Sequence, residues 1–109
     1  MKVLVIAPFA SRMVDEIPTD GEVLRAFNPV DAAEMIARYG PFGAVICEAA
    51  FAENETSQLF RLARQSGGRS VLASGDSAEE DDDLAARNGA DAVLRLPKRP
   101  RTRRLTRAV

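Results

Sequence analysis

The chain has 109 residues, 46% hydrophobic and 28% charged, with no Trp, no His and one Cys; that is enough for one domain with a single modest core and too little for two. No apolar run approaches the roughly 20 residues needed to cross a bilayer, and the opening MKVLVIAPFASR lacks a long apolar region before a small-residue cleavage site, so a cytoplasmic location without a membrane partner is expected. The net charge of −1 hides a division: residues 1–94 carry 16 acidic and 8 basic side chains, a net −8, and residues 95–109 carry seven basic ones, a net +7.

Short apolar runs alternate with helical patterns, as in parallel strands joined by crossover helices. The first strand is expected over Lys2–Ala7 (KVLVIA), nearly continuous in apolar character as a strand buried on both faces should be. Residues Ser11–Ile17 supply about two helical turns before Pro18 and Asp20-Gly21 end them in a turn. The second strand is Glu22–Phe27. Asn28 as N-cap and Pro29 in the first turn then open a helix over Val30–Tyr39, closed by Gly40-Pro41, with Val30, Ala33, Ile36 and Ala37 as its inner face.

The third strand, Gly43–Glu48, contains Cys47; without a second thiol it forms no intrachain disulfide and no thiolate metal centre, and it reads as a small buried strand residue. Ala49–Asn54 is a loop, and a helix over Glu55–Gln65 turns Leu59, Phe60, Leu62 and Ala63 inward until Ser66-Gly67-Gly68 stops it. The fourth strand, Ser70–Ala73, ends in Ser74-Gly75-Asp76. A helix over Ala78–Asn88 runs to Gly89, and Ala92–Leu96 is the fifth strand. The acidic run Glu79 to Asp83 fills the first turns of that last helix, where carboxylates oppose the positive end of the macrodipole; it lacks the spacing and central Gly of a calcium loop.

This order predicts an α/β fold with a doubly wound, five-stranded parallel sheet, in which ligands collect beyond the carboxyl ends of the strands. Those ends carry Ala7-Pro8, Glu48, Ser74 and Leu96-Pro97. The segments KVLVIA, GAVICEA, SVLAS and NGADAVLRLP together resemble the CheY-like receiver family over nearly the whole chain, the last most specifically through Gly89-Ala90-Asp91, a strand and a closing proline. The resemblance implies a flavodoxin-like sheet of order 2-1-3-4-5 in a domain over residues 1–97, a cis Leu96-Pro97 peptide, and residues 98–109 in place of the fifth helix as a shortened basic helix or arm.

Phosphoryl transfer in that family uses an acidic pair after the first strand to hold Mg²⁺, an aspartate nucleophile after the third, a hydroxyl after the fourth and a lysine after the fifth. Here Ala7 and Pro8 replace the acidic pair, Glu48 stands at the acceptor position one methylene too long for in-line transfer, and Leu96 replaces the lysine; Ser74 alone is retained. Val93 matches the aromatic switch position, and Ala52 and Thr56 stand where the family has Pro and Gly. No catalysis, metal or cofactor is therefore expected. Glu48 reads either as a structural carboxylate or as a fixed stand-in for a phosphorylated aspartate bonded to Ser74, and Ser74 alternatively bonds its own turn.

The expected function is that of a pseudo-receiver in bacterial signalling, binding a protein partner or a second copy through the helix over Ala78–Asn88, the fifth strand and the tail. Lys98, Arg99, Arg101, Arg103, Arg104 and Arg107 give that tail its charge. Arginine forks suit phosphate and carboxylate alike, so a second reading has the tail bind nucleic acid or an anionic nucleotide, in which case affinity falls steeply with salt. A third has Glu48 still phosphorylated.

Overall fold

Valine and isoleucine are stiff at χ1 and pack well on a pleated surface, and they set the strands where the sequence predicts them. The computed structural model describes residues 2–9, 11, 21–74 and 78–95, with 78–82 described by backbone alone. In chain order these form β1 (Lys2–Ile6), β2 (Glu22–Ala26), α1 (Pro29–Tyr39), β3 (Ala44–Glu48), α2 (Glu53–Gln65), β4 (Arg69–Ser74), α3 (Ala78–Asn88) and β5 (Ala92–Arg95). All pairings are parallel and the order is β2-β1-β3-β4-β5, the doubly wound arrangement expected. The expected helix over Ser11–Ile17, beyond Ser11 itself, and the Leu96-Pro97 peptide lie outside the described residues; Gly40-Pro41 is cis.

Alternation along the strands divides the core between the two faces of the sheet. On one face Leu4, Ile6, Val45, Cys47 and Leu72 pack against Ala32 and Ile36 of α1, Leu59, Phe60 and Ala63 of α2, and Ala85 of α3. On the other lie Val3, Val5, Ala7, Ile46 and Ala73. Among the described residues no helix is long and apolar enough to cross a membrane.

The inner face of α1 differs from expectation. Two stripes one residue apart compete in this helix, and the one holding Pro29, Ala32 and Ile36 is buried, with Met35 partly so; Val30 is 67% exposed, Ala37 is exposed and Ala33 half-buried. Ile36 is common to both stripes; Met35 joins it against the core, burying more apolar surface there than Ala37 would, while Val30 stands out at the amino end of the helix. The N-terminus matches its signal, since Asn28 Oδ1 accepts the Asp31 N–H at 2.8 Å. Helix α2 starts two residues earlier than expected, at Glu53, without a side-chain cap; Glu53 and Glu55 lie in its first turn against the positive end of the dipole. Thr56 is therefore a buried helical residue, and Val93 sits half-buried against the core.

Both α2 and α3 end in a Schellman motif. Gly67 and Gly89 take φ of 89° and 76°, values an L side chain resists, while Gly68 and Ala90 donate back to Ala63 and Ala85 at 2.9 Å each. Just past α3, Asp91 fastens the amino ends of β4 and β5. Its carboxylate accepts from the Ser70 N–H at 3.1 Å and faces the Ser70 hydroxyl at 3.3 Å, and Arg64 Nε lies 4.0 Å away.

Candidate functional site at the carboxyl ends of the strands

The sheet delivers Ala7-Pro8, Glu48 and Ser74 to one end, as predicted, but it does not make them one cluster of polar groups. Ala7 continues the ladder by donating to the Ala26 carbonyl at 3.1 Å, and its methyl is fully buried in the second core face. Ser74 closes β4 opposite Arg95 and is 6% exposed. Leu96 and all six basic residues expected to form the interaction segment, Lys98 to Arg107, lie outside the described residues.

Glu48 is half-buried at the end of β3, where it accepts from the Ser11 hydroxyl at 2.6 Å through Oε2. This is the short contact of a neutral hydroxyl on a charged carboxylate. Glu48 is thus tied to the loop after β1. Its partner among the described residues is Ser11, a residue the sequence reading placed at the start of a helix.

A second unanticipated side chain completes the loop's anchorage. Arg25, the fourth of the five residues of β2, sends Nη2 to the carbonyl oxygens of Pro8 at 2.6 Å, Ser11 at 3.2 Å and Phe9 at 3.4 Å. Its guanidinium carbon lies 4.8 Å from the Phe27 ring centroid, and Phe27 meets Phe9 with ring centroids 5.6 Å apart. Among the described residues Arg25 makes no ion pair, so its charge is met by carbonyl dipoles and a ring face. The loop is held from both sides, by Arg25 from β2 and by Glu48 from β3.

This donor set does not suit a divalent cation. Ala7 and Pro8 offer no carboxylate, and the carbonyl oxygens that could supplement Glu48 already receive a guanidinium. Among the described residues no group of three or more His, Cys, Asp or Glu side chains could hold a metal. Nor is Cys47 a nucleophile: burial pushes its thiol up to about 12, against a lowering hydrogen bond from Thr56 and with a further rise from Glu48 beside it.

No family model matches the sequence, and neither does any curated protein. Solved structures do match. A protein from Burkholderia pseudomallei described as pilus assembly-related superposes with a TM-score of 0.67 at 22% identity, covering 93% of this chain and 81% of that one. A CheY-like response regulator receiver domain from Methanospirillum hungatei gives 0.65 at 16% identity, covering 92% and 84%. A CpaE2 pilus assembly protein from Sinorhizobium meliloti gives 0.59 at 12%, covering 92% and 91%. The chain has the receiver fold. The strand order and the carboxyl-end position of Glu48 and Ser74 follow from that fold, and in this chain Ser11 and Arg25 fill the site around them.

Sequence reasoning missed both for an identifiable reason. Ser11 reads as the first residue of a short helix, and nothing local says that its hydroxyl reaches a residue 37 positions away. Arg25 carries a usable signal, a lone cation in a strand whose neighbours Val23, Leu24 and Ala26 are apolar. A charge there must find acceptors at the strand end or remain solvated.

Proposed function

We propose that this receiver fold serves as a phosphorylation-independent signalling module, a pseudo-receiver that acts by binding another protein and catalyses no reaction. The observation that carries the reading is the Ser11–Glu48 hydrogen bond together with the Arg25 contacts to the loop carbonyls. A receiver's acceptor carboxylate must be open to an incoming phosphoryl group and a metal. Here the carboxylate at that position bonds within the protein, and a guanidinium takes the neighbouring carbonyls. Glu48 in this reading is a structural carboxylate that fixes one arrangement of the end of the sheet.

The partner surface we assign is α3, β5 and the basic tail, where a strongly basic segment follows an acidic helix in sequence and offers a protein partner both signs of charge. The location is the cytoplasm. The fold occurs in proteins described by pilus assembly as well as in response regulators, so a binding role needs no phosphorelay around it.

The test is intact-mass analysis after incubation with an acyl phosphate and Mg²⁺, on the wild type and on Glu48→Ala. Neither is expected to gain a phosphoryl group. A gain in the wild type that Glu48→Ala abolishes would overturn the proposal in favour of a working receiver.

A further inference from the structure

Among the described residues the exposed large apolar side chains are not scattered. The large hydrophobics that stand well out of the described surface are Phe9 (84% exposed), Val23 (36%), Phe27 (44%), Val30 (67%) and Tyr39 (49%). Val23 is on β2, Phe27 directly follows it, Val30 and Tyr39 are at the two ends of α1, and Phe9 rests on Phe27. All five therefore border one margin of the sheet. That margin is an open one: β2 pairs with β1 alone, and among the described residues no strand lies outboard of it. An unpaired edge flanked by exposed aromatics is a place where another chain adds on.

We propose that this β2–α1 margin is where a second copy of the chain binds, the two related by a two-fold axis normal to the sheet. A groove of about 260 Å³ runs between β2 and α1, lined among others by Arg25, Phe27, Asp31, Met35, Arg38 and Tyr39. Glu34 also borders it, so the groove brings two bases and two acids around an apolar floor and is neutral, within a body (residues 1–94) of net charge −8. A two-fold interface presents the same patch from both sides, and a patch of one sign would repel itself. A neutral, two-signed patch is what such an interface requires.

The order of the charges fits as well. The two-fold axis sets β2 antiparallel to its copy and α1 antiparallel to its copy. Asp31 is the third residue of α1 and Arg38 the tenth of eleven, so reversal brings Asp31 level with Arg38 of the second copy at both ends of the contact. Among the described residues of one chain Arg38 pairs with Glu34 alone, at 3.3 Å between side chains about two-thirds exposed, a weak contact that is readily exchanged. Arg25, without an ion pair of its own among the described residues, adds a cation at the margin. Phe27, held beneath Arg25 and against Phe9, is the rigid aromatic anchor that interfaces favour at their centre. The dimer leaves the opposite margin, α3 and β5, free for a different protein, so it stands or falls separately from the function proposed above.

The experiment is sedimentation of the whole 109-residue chain from about 10 μM to about 1 mM, a span that covers modest affinities, with Asp31→Arg, Arg38→Asp and the double exchange. Circular dichroism checks that each variant is folded, and both positions are exposed on the helix. The wild type is expected to move from monomer towards dimer with concentration. Each single reversal should raise the dimer Kd about tenfold or more, and the double exchange should restore it to within about threefold of wild type, because the paired charges are then merely swapped. A wild type that stays monomeric to the highest concentration would overturn the proposal. So would a dimer that the single reversals leave unchanged, which would place the contact elsewhere, or one that the double exchange fails to restore.

Discussion

The two ends of the sheet are built from the same three kinds of side chain and differ in how they are joined. At the amino end Ser70, Asp91 and Arg64 converge on the carboxylate: Asp91 takes the Ser70 N–H at 3.1 Å and lies 3.3 Å from its hydroxyl, with Arg64 Nε 4.0 Å away. At the carboxyl end Ser11 meets Glu48 at 2.6 Å, but Arg25 turns to the loop carbonyls instead of the carboxylate. The first set ties strand to strand through a fully buried serine, the second ties a loop to the strands on either side of it. The amino end is a fastening of the fold itself. At the carboxyl end internal bonds hold a loop, and the function proposed above rests on that loop staying held.

Ser70→Ala tests the stronger half of this comparison and should have the larger effect. Ser70 is fully buried, accepts the Asp91 N–H at 3.1 Å and reaches the Gly89 carbonyl at 3.3 Å; its loss removes both bonds, although that N–H still donates to the Ser70 carbonyl at 2.8 Å and the Gly89 carbonyl still accepts from Arg64 Nη1 at 3.3 Å. A cost of about 1–2 kcal/mol in urea denaturation is expected. Arg25→Met, which keeps an unbranched apolar stem but removes the donors and the charge over the Phe27 ring, should cost less, about 1 kcal/mol. It should instead speed amide exchange at Phe9 and Ser11 while leaving β4 and β5 as protected as before. Equal losses in the two variants, or loosening at both ends in either, would dissolve the distinction.

The fold was largely legible because volume and periodicity decide it. Five apolar runs at regular spacing leave one economical topology, and Asn28, Gly67 and Gly89 mark helix ends by backbone chemistry that is local in sequence. The inner face of α1 was misread because two stripes share Ile36, and periodicity alone does not say whether Ala32 and Met35 or Ala33 and Ala37 lie beside it in the core. The site was legible only in its negative part. Ala7, Pro8 and Glu48 show which chemistry the end of the sheet lacks, but Ser11 and Arg25 act across 37 and 14–17 positions, and no period or motif encodes such contacts.

The smallest expected effect is also the most specific to the amino end, because it reads one carboxylate through pH. Asp91 is held below the ordinary aspartate value of 3.8 chiefly by the Ser70 N–H it accepts, which outweighs an opposing loss of hydration, and further by the Ser70 hydroxyl and the Arg64 and Arg69 charges. A carboxyl more acidic in the native than in the unfolded chain stabilises the protein fully above the unfolded value, and that stabilisation fades as pH falls through 3.8 towards the lower native value. Asp91→Asn cannot take part in this. Measured by urea denaturation from neutral pH down to the acid limb, the wild type should lose stability more steeply than Asp91→Asn below about pH 4, and the two curves should run parallel above it. Asp91 is an exposed residue, so the difference in slope is expected to be slight and to shrink with added salt. Curves parallel across the whole range would mean that the Ser70 contact orients Asp91 without favouring its charge, and the two ends of the sheet would then differ less than their geometry indicates.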